Sequence, residues 1–116
     1  MKIYDCTTFY SEHMMLEIRF NILNEFVHKF IVVESLYSHS GKKKKLNFDI
    51  NNYPKFKDKI IYLVIDKEPQ NLIRHDSNLK QHEKRINSLK RIDLSYDYMQ
   101  KGIEQASEED LIILSD

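Results

Sequence analysis

Glu109-Asp110-Leu111-Ile112-Ile113-Leu114-Ser115-Asp116 sets four consecutive apolar residues between a pair of acids and a Ser-Asp pair. A run this short and this uniformly apolar reads as a strand buried on both faces, of the kind found inside a parallel sheet. Working back from it, three more segments have the same character: Ile3-Tyr4-Asp5-Cys6, Phe30-Ile31-Val32-Val33 and Ile60-Ile61-Tyr62-Leu63-Val64-Ile65, the last being the strongest strand signal in the chain. Two amphipathic stretches lie between them. In the first, Met15, Ile18, Ile22 and Phe26 recur at helical steps, with Leu16 and Leu23 widening the stripe, and Ser11 is placed to cap it with Glu12 in the first turn. In the second, Leu79, Ile86, Leu89, Ile92, Tyr96, Met99, Ile103 and Ala106 fit one stripe, with Asp93 to Ser95 as a candidate break. Residues 37–52 form a long polar connection, and connections of that length tend to be functional.

Apolar strands alternating with amphipathic helices give an α/β fold, a Rossmann-like, mostly parallel sheet of about four strands with flanking helices and right-handed crossovers. The doubly wound pattern places the first strand centrally, between the second and the last. With 116 residues the chain makes one domain.

Composition removes several classes of function. Eighteen basic and 18 acidic side chains cancel, so no overall field draws nucleic acid or an anionic membrane. No segment approaches the roughly 20 apolar residues of a membrane span. Cys6 is the single cysteine, which leaves no intramolecular disulfide and nothing that points to an oxidising compartment, so a cytoplasmic setting is the expectation, with Cys6 itself a buried structural thiol. The five histidines make no zinc pattern, and no Gly-rich phosphate loop, G-x-S-x-G or H-E-x-x-H is present.

Chemistry-bearing residues collect where the strands end: Asp5 and Thr7, Glu34 and Ser35, Asp66, and Ser115 and Asp116. In open α/β sheets ligands sit at the carboxyl ends of the strands. Acids and hydroxyls along one edge suit a divalent cation, which bridges the phosphates of a nucleotide in many enzymes. Lys42, opening the run Lys42 to Lys45 behind Gly41, supplies a phosphate-seeking point charge, although such a run also serves as an ordinary solvated loop.

Particular strings go further than pattern. Ile3-Tyr4-Asp5-Cys6, Phe9-Tyr10-x-Glu12, Leu16-Glu17-Ile18-Arg19-Phe20-Asn21-Ile22-Leu23, Lys29-Phe30-Ile31-Val32-Val33-Glu34-Ser35, Gly41-Lys42, Leu46-x-Phe48 and Asp110 to Asp116 together resemble glycosyltransferase family 17, the family of the bisecting N-acetylglucosaminyltransferase. The resemblance runs over nearly the whole chain. It implies a GT-A-like sheet, UDP-GlcNAc as donor, a mannose-containing N-glycan or another glycan as acceptor, and Mn²⁺ or Mg²⁺ as cofactor. Carried over, Asp116 is the first acid of a metal-binding motif, and Asp5, Thr7, Glu34, Ser35, Lys42 and Ser115 line the donor side. Members of the family continue beyond the Ser-Asp with a further Asp and Glu and an acceptor-binding half. The expectation is therefore that residues 1–116 are the N-terminal, nucleotide-sugar-binding half of the enzyme, either with the rest on another chain or as a truncated half-domain, with a second chain or a homo-oligomer covering the open sheet. No catalytic residue is assigned, and the Gln-Arg pair expected in the preceding helix is replaced near Ser95-Tyr96.

A second reading stands beside it: a non-catalytic α/β module that binds a nucleotide or a protein, self-associating through an exposed strand edge. Nucleic-acid binding through the lysine run is disfavoured by the zero net charge.

Overall fold

The structure, a computed structural model, describes residues 1–75 and 78–115. Its centre is a four-stranded, all-parallel sheet of β1 (Ile3–Thr8), β2 (Lys29–Ser35), β3 (Ile60–Ile65) and β4 (Leu111–Ser115), in the order β3-β2-β1-β4. Two helices, α1 (His13–Leu23) and α2 (Gln81–Gly102), pack on opposite faces, with short 3₁₀ turns at Ile50–Asn52 and Lys57–Lys59. The α/β class is as expected, and β1 does lie between β2 and β4. Asp5 stands opposite Phe30 on one side and Ile113 on the other.

The terminal run corrects the first expectation. Among the described residues β4 is an edge strand with β1 as its single neighbour, and Leu111 and Leu114 remain 47% and 56% exposed. The buried strands are β1 and β2, which carry Asp5, Thr7 and Glu34 among their apolar residues. Unbroken apolarity therefore did not mark the centre of this sheet.

Helix α1 gives the second correction. It is apolar on most of its circumference, so two stripes are available, and the one used is Leu16, Phe20 and Leu23 rather than Met15, Ile18 and Ile22. Phe20 decides the choice because its ring meets Phe30, Tyr53 and Phe56 at centroid distances of 4.6, 5.2 and 5.4 Å. Aromatic rings packed in this way add to the area they bury. Met15 and Ile22 are each left 65% exposed, and Phe26 lies beyond the helix end. Nor does Ser11 cap α1: Glu12 takes the N-cap position, and its carboxylate accepts the backbone N–H groups of Tyr10 and Ser11.

Helix α2 is continuous, without a break at Asp93 to Ser95, and its buried side is Asn87, Ser95, Met99 and Gly102. Small residues let the helix approach the sheet. A Cβ at Gly102 would fall 2.7 Å from Cγ2 of Ile31, so only glycine fits there without displacing a buried strand residue. Asn87 holds the preceding connection through both backbone groups of Ile73, accepting from its N–H at 2.8 Å and donating to its carbonyl at 3.0 Å. Among the described residues no helix is long and apolar enough to cross a membrane.

Candidate functional site

Side chains alternate across a strand, so the residues at the carboxyl ends of β1 and β2 divide between the two faces. Thr8, Val33 and Ser35 turn toward the α2 side, where they border a cavity of about 590 Å³ at the carboxyl ends of β1, β2 and β3. Ile65 of β3 and Arg91 and Ser95 of α2 complete its floor. The segment after β2 forms a wall, with Tyr37, Ser38, His39, Ser40 and Lys44, and Phe9, Tyr10 and Glu12 approach from the other side.

That wall is held in place along its length. Leu36 N–H donates to the Ile65 carbonyl and Lys44 N–H to the Leu36 carbonyl, and Ser38 N–H closes a turn onto the Lys42 carbonyl at 2.9 Å. Gly41 makes the turn possible with a φ of +88°, a conformation that costs glycine nothing. The carbonyl of His39 accepts from both Ser88 Oγ and Arg91 Nη1, at 2.8 and 2.9 Å, which ties the turn to α2.

Glu34, expected on the donor side, faces the opposite way. It is fully buried, and its two carboxylate oxygens accept four hydrogen bonds: Tyr62 OH at 2.7 Å and Phe48 N–H at 3.0 Å on Oε1, Asn47 N–H at 2.7 Å and Lys44 Nζ at 2.8 Å on Oε2. Burial would push its carboxyl up, but Lys44, Tyr62 and the two backbone donors outweigh it and hold the group below the usual carboxylate range. The Tyr62 phenol is driven far upward by burial and by the Glu34 charge.

Asp5 is also fully buried on the α1 side, in the middle of the central strand rather than at its end. Arg19 grips it with a fork, Nε to Oδ2 at 2.7 Å and Nη2 to Oδ1 at 2.5 Å. That bond raises the arginine's already high pKa further. Arg19 and Thr7 border a second cavity of about 480 Å³, largely apolar, with Met15, Ile18 and Ile22 of α1 on its wall. Thr7 Oγ1 donates to the Thr8 carbonyl at 3.2 Å.

Of the remaining expected residues, Ser35 borders the main cavity and its Oγ accepts Tyr37 N–H at 3.0 Å. Lys42 is exposed, and the lysine of the run that reaches the cavity is Lys44, whose Nζ lies 5.2 Å from the centroid of the Tyr10 ring. Ser115 ends β4 opposite Thr7, its hydroxyl buried with no hydrogen-bond partner among the described residues. Asp116 lies outside the described residues. The structure thus brings Ser35 to the main cavity, places Asp5, Thr7 and Glu34 on the other face, and leaves Lys42 at the surface.

As for a divalent cation, no group of three or more His, Cys, Asp or Glu side chains suited to hold one occurs among the described residues. The two buried strand carboxylates are already neutralised by Arg19 and Lys44. The described donor set does not fit a metal centre. Cys6 is fully buried, with its thiol pushed up to about 12 by desolvation and by Asp5, so it stays protonated and unreactive near neutral pH.

Sequence reasoning missed Arg91 and His39. Arg91 was legible in retrospect, since Asn87, Arg91, Ser95 and Met99 follow one another at steps of four on the face of α2 that meets the sheet. A polar inward line of that kind is invisible to a search for apolar stripes.

A cavity at the carboxyl edge of a parallel sheet is where the nucleotide-binding members of this architecture take their ligands, although the fold alone names no chemistry. No curated protein and no solved structure matches the chain. The family model of glycosyltransferase family 17 does, from residue 1 to residue 116, and the chain belongs to that family of glycosyl-transferring enzymes.

Proposed function

We propose that the cavity at the carboxyl ends of β1, β2 and β3 takes the nucleotide part of a UDP-GlcNAc donor, and that the protein serves transfer of N-acetylglucosamine to a mannose-containing glycan. The observation that carries this reading is the lining itself. Five hydroxyl-bearing residues, Thr8, Ser35, Tyr37, Ser38 and Ser40, and the cations Lys44 and Arg91 line one concavity above a parallel sheet. Few, convergent polar groups in a partly apolar pocket suit a ligand that is both sugar-like and anionic.

In the transfer, an acceptor hydroxyl attacks the anomeric carbon, the bond from that carbon to the diphosphate oxygen breaks, and UDP departs with the electron pair. The contribution of this chain is to bind the donor and to neutralise charge growing on the departing diphosphate. Calorimetric titration of the 116-residue chain with UDP-GlcNAc, with and without Mn²⁺, tests the reading. Binding of UDP-GlcNAc in preference to ADP-glucose supports it, and a folded chain that binds neither nucleotide sugar in either buffer overturns it. The metal role of Asp116 is a separate proposal within the same titration. Enhancement by Mn²⁺ that disappears in Asp116→Ala supports it; binding indifferent to both removes it.

One observation favours a second reading, a module completed by another chain or by a second copy. The outer edge of β4 is unpaired among the described residues, Leu111 and Leu114 of that strand are exposed, and Met15 and Ile22 of α1 are exposed as well. An open strand edge beside apolar surface invites pairing. Sedimentation that gives the monomer mass across a wide concentration range removes self-association from this reading.

A further inference from the structure

The main cavity is lined by two cations, each held by a carboxylate outside the cavity, and by one carboxylate of its own, Glu12, whose Oε2 is taken up by the backbone N–H groups of Tyr10 and Ser11. Lys44 is paired with Glu34, buried on the opposite face of the sheet. Arg91 is paired with Glu68, which borders a separate surface hollow together with Lys67, Lys90 and Asp97. Neither glutamate lines the cavity itself. We propose that Lys44 and Arg91 are the diphosphate-binding pair of the donor site, and that Glu34 and Glu68 are positioning residues that aim them; the inference rests on the donor-site reading above.

Counting donors supports the assignment. A guanidinium has five N–H groups. In Arg91, Nε donates to Glu68 Oε1 at 2.7 Å, Nη2 to Glu68 Oε2 at 3.0 Å and Nη1 to the His39 carbonyl at 2.9 Å, which leaves one N–H on each terminal nitrogen. Lys44 uses one N–H on Glu34 at 2.8 Å and one on the Lys45 carbonyl at 3.1 Å, which leaves its third. Both cations are therefore oriented while keeping capacity for a further acceptor. Arg91 is also wedged in place, since a Cβ at Gly41 would fall 2.5 Å from its Nη2, so the absence of a side chain at position 41 is what admits the guanidinium.

The two cations differ in a way that suits adjoining phosphates. Arginine offers a planar fork to two oxygens and lysine a compact point charge. Their side chains are only 13% and 12% exposed, so their attraction for an anion is screened less than at an open surface. The plain structural role for each pair is that of a staple, Arg91 joining α2 to the segment after β3 and Lys44 joining the wall to β2. A staple alone does not require both cations to open onto the same cavity.

Titration of the full chain with inorganic pyrophosphate, UDP and uridine tests the inference, with fold monitored by circular dichroism. Arg91→Gln and Lys44→Gln each weaken pyrophosphate and UDP binding roughly 10-fold or more, while uridine affinity is unchanged. Glu68→Gln leaves the Arg91 charge but loosens its aim, and costs less than Arg91→Gln. Because Lys44→Gln leaves Glu34 buried and unpaired, the double variant Glu34→Gln/Lys44→Gln keeps the site neutral and folded for the same measurement. Arg91→Lys restores part of the loss.

A folded wild-type chain that does not bind pyrophosphate, pyrophosphate binding indifferent to both substitutions, or losses that fall equally on uridine would each overturn the inference. Its failure is separable from that of the donor-site reading. UDP binding that exceeds pyrophosphate binding yet ignores Lys44 and Arg91 overturns the inference and spares the nucleotide. Pyrophosphate binding abolished by Arg91→Gln, with UDP no tighter than pyrophosphate, supports the inference and removes the nucleotide.

Discussion

Two carboxylates are wholly buried on the same face of the sheet, and they are used differently. Asp5 gives both oxygens to a single partner, Arg19, in the second turn of the helix that covers it. Glu34 gives its oxygens to four donors from two segments: Lys44 and the backbone of Asn47 and Phe48 in the connection after β2, and Tyr62 of β3. The first arrangement fixes α1 on β1. The second builds the wall of a cavity from a stretch with little regular structure of its own. A buried charge is costly to leave unpaired, so the number of partners it gathers measures how much chain it organises.

The largest effect follows from removing the second arrangement. Glu34→Gln strands a mostly buried Lys44 and should lower stability by about 3–5 kcal/mol, read from urea denaturation. The pH dependence carries a sign. The folded Glu34 carboxyl is held below its unfolded value, so its stabilisation is complete above the unfolded carboxylate's pKa of about 4.3 and is lost as pH falls through the lower folded value. The gap between wild type and Glu34→Gln should therefore close in acid. A gap that stays constant from neutral pH down to about pH 3 would show that the charge of Glu34 is not what holds the wall.

Asp5→Asn sharpens the contrast. Arg19 is 28% exposed against 12% for Lys44, so its freed guanidinium can turn to water. The expected loss is about 1.5–3 kcal/mol, smaller than for Glu34→Gln, and the reverse order in denaturation would break the comparison.

Gly102→Ala tests the close approach of α2 on the far face. The new methyl would press on Ile31, an overpacking of about 1–3 kcal/mol, offset in part by the better helix propensity of alanine. A net loss of about 1–2 kcal/mol in thermal unfolding is expected, and a stabilised variant would mean that the helix stands further from the sheet. Smallest of all, Ile22→Ala on the exposed flank of α1 should change stability by less than about 0.5 kcal/mol, whereas a loss near that of a core residue would show the flank to be covered.

Much of this was open to reading from the residues. The four strands, the two helices between them and the central place of β1 follow from alternating apolar runs and amphipathic stretches. Within the site, Ser35 was legible because a hydroxyl directly after an apolar strand falls at the carboxyl edge. Asp5, Thr7 and Glu34 show the limit of that rule, since a strand end has two faces and neighbouring residues go to opposite ones. Lys42 and Lys44 are equivalent as members of a lysine run, and only the partner waiting at Glu34 distinguishes them.

What the sequence by itself determined is therefore the parallel α/β architecture and the family, because hydrophobic period and short motifs are local properties of a chain. Tertiary structure alone decided which stripe of α1 turns inward, that β4 lies at the edge, and that Lys44 and Arg91 meet at one cavity with their glutamates behind them. Each of these depends on partners far apart in sequence, Phe20 with Tyr53, Glu34 with Tyr62 and Arg91 with His39, and on the burial that makes a single unpaired charge or misplaced ring too costly to keep.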